Sequence, residues 1–118
     1  MVSLYLRDKG VRQFVNLGAG MDTRPFRISQ LEATETTWFE VDFPAVTEYK
    51  NTMLASANAQ PKCARHCVVA NLTQKGWTAE LEKKGFDPKA PTLYLLFPTL
   101  RFFILFLIVP FPGGWLKD

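Results

Sequence analysis

The apolar run Gln13 to Leu17 (QFVNL) leads straight into Gly18-Ala19-Gly20, and a second apolar run, Thr37 to Asp42 (TWFEVD), ends on Glu40 and Asp42. Glycines in such a turn let the backbone approach a ligand without collisions from a Cβ. A carboxylate about twenty residues further on is placed to accept hydrogen bonds from ribose hydroxyls. Glu40 lies twenty positions after Gly20 and Asp42 twenty-two. The third glycine of a dinucleotide fingerprint is missing, because Thr23 stands where it would fall, and no Lys-Ser/Thr pair of a P-loop follows. The turn therefore suits a nucleoside and not a pyrophosphate.

Other residues with chemical potential read more plainly. Asp22 and Arg24, just after the turn, fit a structural ion pair or cap that orders it. Cys63, His66 and Cys67 (CARHC) have metal-binding side chains, but His66 and Cys67 are adjacent and no second pair exists, which argues against a zinc site. Trp38 and Trp77 read as core or interface aromatics. Lys50 falls on an expected helix, where a solvated charge is the simple reading.

The elements that position these residues alternate. Gln13 to Leu17 is a first strand, and a short helical stretch is expected around Pro25 to Leu31. Thr37 to Asp42, β-branched and aromatic, is a second strand. Pro44 suits the start of a helix, and Ala45 to Ala57 continues it with apolar spacing at Val46, Tyr49, Met53 and Leu54. Ala59 to Arg65 is a polar loop and His66 to Ala70 a third strand. A third helix runs from Gly76 to Lys84, with Trp77 and Leu81 on one face, closed by Gly85. Pro91 to Phe97 (PTLYLLF) is a fourth strand. Strands alternating with helices predict an α/β fold with a parallel sheet, whose ligand crevice lies at the carboxyl ends of the strands. Gly18, Asp42 and Asn71 then share one rim.

Composition narrows the field. The 118 residues suffice for one domain, and 47% are hydrophobic, enough for a core. The net charge of +3 is mild and no basic run alternates with aromatics, so nucleic acid is not an indicated partner. Two cysteines make no secreted disulfide framework, and the first residues lack the apolar core of a signal peptide. A cytoplasmic protein is expected. The segment Leu100 to Gly114 is continuously apolar with two prolines, but its run from Phe102 to Val109 is short of the roughly 20 residues of a membrane span. A membrane partner is not expected.

S-adenosylmethionine is a nucleoside ligand without phosphate. NLGAGMDTRPFR followed by WFEVDFPAVTEYK resembles the leucine carboxyl methyltransferase family, within the class I S-adenosylmethionine-dependent methyltransferases. The two motifs agree with the family's pattern in content and spacing, and Lys50 matches a lysine that follows them. The likeness runs from about Gln13 to Leu96. It implies a Rossmann-like sheet with S-adenosyl-L-methionine as cofactor. Gly18, Ala19 and Gly20 would lie under its methionine portion, Asp42 would accept from the ribose with Glu40 on the same side, and Asn71 and Leu72 would meet the adenine.

Some departures stand beside that likeness. Asn71 replaces the family's Asp, and its carbonyl can still accept from the adenine amino group. Phe97 and Pro98 stand where the family ends strand four on Glu and a small residue. The upstream helical region and three further strands are not present, and no general base can be named. Residues 1–97 are thus expected to form a partial methyltransferase domain of about four strands, and 98–118 an apolar, non-native tail of a truncated product. The resemblance implies O-methyl transfer to a carboxylate or hydroxyl of a small molecule, or to a protein C-terminal leucine. DTRPFR and GFDPKAPT lean towards the small-molecule branch. The alternatives are an inactive half-domain or partner-binding fragment and, more weakly, a protein anchored in a membrane by its tail.

Overall fold

A computed structural model describes residues 10–32 and 34–96. The readings for Phe97, Pro98 and the apolar tail lie outside the described residues. Four strands form one sheet: β1 (Gln13–Leu17), β2 (Thr37–Asp42), β3 (Ala64–Val69) and β4 (Thr92–Leu96). Their order is β3-β2-β1-β4, and every pairing is parallel. Parallel neighbours need crossovers, and helices supply them. These are α1 (Arg24–Arg27) with a 3-10 turn at Ser29–Leu31, α2 (Pro44–Ser56) and α3 (Trp77–Lys83). The α/β, Rossmann-like expectation holds.

The limits of β1 and β2 are those read from sequence. The stretch expected as one helix from Pro25 to Leu31 divides instead, because Ile28 is extended at φ −82°, ψ 106°. Strand β3 starts two residues before His66, at Ala64, so Arg65 is a strand residue paired with Trp38.

Alternation along the strands separates two cores. On one face Phe14, Trp38, Leu93 and Leu95 meet Val11 and Leu31, with Phe14 and Trp38 stacked at 5.3 Å. On the other, Val15, Leu17, Phe39, Val41 and Tyr94 meet Leu81 of α3 and Phe86. Trp38 is fully buried, and Trp77 is partly buried against this second cluster. The first face changes character along the strands. Phe14 and Trp38 are followed on it by Asn16, Glu40 and Asp42, so the sheet becomes polar as it nears its carboxyl rim.

Helix α2 covers that polar region and corrects the sequence reading twice. Its expected apolar stripe does not enter the core: Tyr49 and Met53 are exposed. Lys50, expected to be a solvated charge, is the buried residue of the helix. The partners waiting beneath it, described next, are polar, and they select an ammonium over an apolar side chain.

Candidate ligand site at the carboxyl rim

The loop after β1 is a tight structure fastened to the end of β2. Gly18 and Gly20 have φ of +70° and +50°, left-handed values that cost an L side chain about 1–2 kcal/mol. The Gly18 N–H donates to the Val41 carbonyl at 2.8 Å, and Ala19, buried, donates to the same oxygen at 3.4 Å. The Gly20 N–H donates to Oδ2 of Asp42 at 2.7 Å, while Oδ1 of Asp42 accepts from the Phe43 N–H at 2.8 Å. Turn and strand end are thereby one unit, joined through Asp42.

Asp22 closes the loop. Its N–H donates to the Ala19 carbonyl at 3.0 Å. Its carboxylate, 3% exposed, accepts from Asn16 Nδ2 at 2.7 Å and from the Arg24 backbone N–H at 3.0 Å. Arg24 adds its guanidinium, with Nε at 2.9 Å and a terminal nitrogen at 2.5 Å from Oδ2. Burial pushes the Asp22 carboxyl up, but the hydrogen bonds and charge of Arg24 and the Asn16 amide outweigh it, leaving the pKa below its ordinary value. The guanidinium of Arg24 also lies 5.8 Å from the centre of the Trp38 ring. The expected ion pair is present, and it ties the loop to β1 through Asn16.

Glu40 shares a face with Asp42, as alternation requires, yet its carboxylate is turned under α2 and only 4% exposed. Lys50 Nζ donates to Oε1 at 2.5 Å, and Arg65 donates from Nε to Oε2 at 2.6 Å and from a terminal nitrogen to Oε1 at 3.1 Å. Burial works against the Arg65 charge, and Glu40 overcomes it, holding the guanidinium above its ordinary pKa. The two carboxylates expected to serve as a pair thus sit in different surroundings. Asp42 is at the partly exposed rim, and Glu40 is enclosed between two cations.

At the end of β3, Asn71 lines a groove of about 330 Å³ with Lys75 and Trp77, and Leu72 is not among its lining residues. The Asn71 side-chain oxygen, Oδ1, accepts from the Thr73 N–H at 2.9 Å and from the Thr73 hydroxyl at 2.6 Å. For that oxygen to take a ligand donor, the hydroxyl of Thr73 must turn away. Leu72 packs against the second core cluster. His66 stacks on Phe39 at 5.5 Å, while Cys63 lies against the opposite core. Among the described residues no group of three or more His, Cys, Asp or Glu is placed to hold a metal ion. Burial and the nearby Glu40 charge push the Cys63 thiol up to about 11.

Two tests bear on a nucleoside ligand. Among the described residues, a Cβ placed on Gly20 would meet only the Gly18 carbonyl oxygen, at 4.0 Å, so no described side chain crowds that position. An ionised carboxylate has about four acceptor positions; Asp42 gives one on each oxygen to a backbone N–H and keeps capacity for a pair of hydroxyls. The residues fit such a group. Sequence reasoning missed Phe43 and Met21, which follow Asp42 and Gly20 directly. They are 48% and 53% exposed and give the rim an apolar margin. Their positions next to the motif residues were the available signal.

Comparison with known proteins identifies the family. The sequence model of the leucine carboxyl methyltransferase family matches residues 2–102. A Mycobacterium bovis protein named as an S-adenosyl-L-methionine-dependent methyltransferase is 41% identical over 85 residues, covering 72% of this chain and 24% of that one. A Parafrankia protein of the same description is 42% identical over 88 residues, covering 75% and 27%. One from Saccharopolyspora erythraea is 42% identical over 86 residues, covering 73% and 29%. The chain therefore spans about a quarter of the length of these relatives.

Proposed function

The chain belongs to the leucine carboxyl methyltransferase family, and from that premise we propose that it binds S-adenosyl-L-methionine at the β1 turn, as the cofactor half of an oxygen-directed methyltransferase. The observation that carries this reading is the joint between Gly20 and Asp42, with no described side chain within 4 Å of a Cβ placed on Gly20. Gly18, Ala19 and Gly20 give the methionine portion a floor of backbone. Asp42 accepts the ribose hydroxyls, held in place by its two backbone bonds. Asn71 and Leu72 lie along the rim towards the adenine, and Glu40 braces the site from below. When bound, the cofactor supplies a methyl group on a sulfonium, which leaves as a neutral thioether. The protein's part is to orient that methyl towards an acceptor oxygen and exclude water.

The acceptor is a carboxylate or hydroxyl, on a small molecule or on a protein C-terminal leucine, and the setting is the cytoplasm. A second reading has a specific support. The chain covers only 24–29% of its relatives, so it can be a cofactor-binding fragment that performs no turnover by itself. No helix among the described residues is long and apolar enough to cross a membrane.

Calorimetric titration with S-adenosyl-L-methionine tests cofactor binding. Micromolar affinity is expected, and Asp42→Ala is expected to weaken it by about tenfold to a hundredfold, the loss of one or two hydrogen bonds to a charged acceptor. Absence of heat at millimolar cofactor rejects the reading.

A further inference from the structure

Lys50 has more to do than neutralise Glu40. Arg65 already meets both oxygens of that carboxylate, at 2.6 and 3.1 Å. Burying a second cation, 2% exposed, adds a desolvation cost without being needed for charge balance. The ammonium adds one bond that Arg65 does not make: Lys50 Nζ donates to the main-chain carbonyl of Asp22 at 2.6 Å. All three polar groups of Asp22 are thereby anchored, its N–H to Ala19, its carboxylate to Asn16 and Arg24, and its carbonyl to α2. Three successive residues of β2 now hold the loop. Val41 and Asp42 do so directly and Glu40 does so through Lys50.

We propose that Lys50 is a positioning residue for the loop of residues 18–22, its buried ammonium joining the Asp22 carbonyl to the Glu40 carboxylate and so holding the turn against β2 in its ligand-ready shape. The effect on affinity rests on the cofactor reading above; the effect on the loop does not. Lys50 touches no ligand in this account and acts through Asp22 and Glu40. It explains why a helix with two exposed apolar residues, Tyr49 and Met53, turns a lysine inward.

The test compares Lys50→Met, which keeps most of the side chain's length and removes the ammonium, with Arg65→Met. The latter takes another cation from Glu40, but among the described residues Arg65 hydrogen-bonds Glu40 and Asn51 and not the loop. Amide hydrogen exchange is followed at Gly20 and at Val15 and Phe39 in the ligand-free chain. Lys50→Met should lower protection of the Gly20 amide by about tenfold while those of the strands hold, and Arg65→Met should leave Gly20 within about threefold of the wild type. Titration with S-adenosyl-L-methionine, well below the unfolding transition, should give a Kd raised at least about tenfold in Lys50→Met. Should Lys50→Met fail to fold, Lys50→Gln, uncharged but still a donor, replaces it with the same expected direction.

Unchanged Gly20 exchange, or equal loosening by both variants, overturns the proposal. So does an unchanged Kd with a loosened turn. A wild-type chain that does not bind the cofactor refutes the methyltransferase reading, and the Gly20 amide still decides for or against the strap.

Discussion

Replacing Asp22 by Ala strikes the most densely bonded side chain of the rim. Its carboxylate, 3% exposed, holds Asn16, the Arg24 backbone and the Arg24 guanidinium. Asn16 is fully buried, and its amide oxygen has no hydrogen-bond partner among the described residues. Losing Asp22 would leave the amide nitrogen without its acceptor too. Removing one partner of a buried ion pair costs about 3–5 kcal/mol. The Arg24 side chain is 18% exposed and recovers part of this through water. An expected loss of about 3 kcal/mol follows, a large fraction of the roughly 5–15 kcal/mol that holds a domain folded. Asp22→Asn keeps an acceptor oxygen but not the charge, and should cost about half as much.

Urea unfolding followed by the fluorescence of the buried Trp38 measures both. The pH dependence supplies a second, independent arm. The folded-state pKa of Asp22 lies below its unfolded value of 3.8. Its stabilisation is therefore fully present above that value and is lost as pH falls through the depressed folded pKa. The gap between wild type and Asp22→Ala should be flat at neutral pH and close in acid, below 3.8. A loss under about 1 kcal/mol at neutral pH, or a gap that widens in acid, would refute the reasoning.

Two further outcomes follow from the same geometry. Among the described residues Gly20→Ala meets no close neighbour, only a left-handed backbone, so it should lower stability by about 1–2 kcal/mol through conformation; a larger loss in urea unfolding would count against a purely conformational cost. Cys63, with its thiol pushed up to about 11, should be alkylated slowly at pH 8 and show a reactivity midpoint near that value by mass spectrometry. A midpoint near the ordinary 9.0 would count against its burial beside Glu40.

The backbone frame was legible because local pattern and tertiary demand coincide there. Gln13–Leu17 and Thr37–Asp42 are apolar or β-branched runs stopped by glycine or acid, and the sheet uses them with those limits. Two of the misreadings fall where a charge is buried. Arg65 reads as loop because a guanidinium in a strand is unfavourable without a partner, and its partner Glu40 is 25 positions away. Lys50 reads as solvated for the same reason, since the Asp22 carbonyl that receives it leaves no trace in the sequence. Glu40 and Asp42, two residues apart and of like chemistry, cannot be told apart from sequence; α2 separates them by covering the first. The division at Ile28 is likewise a tertiary effect, as that residue packs against the first core cluster.

The strand order has a consequence for how the chain folds. The strand bearing the turn is interior to the sheet; one neighbour, β2, is the next strand in sequence, and the other, β4, is the last described strand. The bonds that shape residues 18–22 arise within the stretch from β1 to α2, so the turn can form as soon as that segment exists. The other flank of β1 must wait for β4, where Gln13 pairs with Thr92, 79 positions away. Such distant parallel pairing is slow. Through that interval β1, with Phe14, Val15 and Leu17, presents an unpaired apolar edge, the kind that recruits strands from other molecules. During synthesis, then, the turn can take shape before β4 is available to protect the strand that carries it.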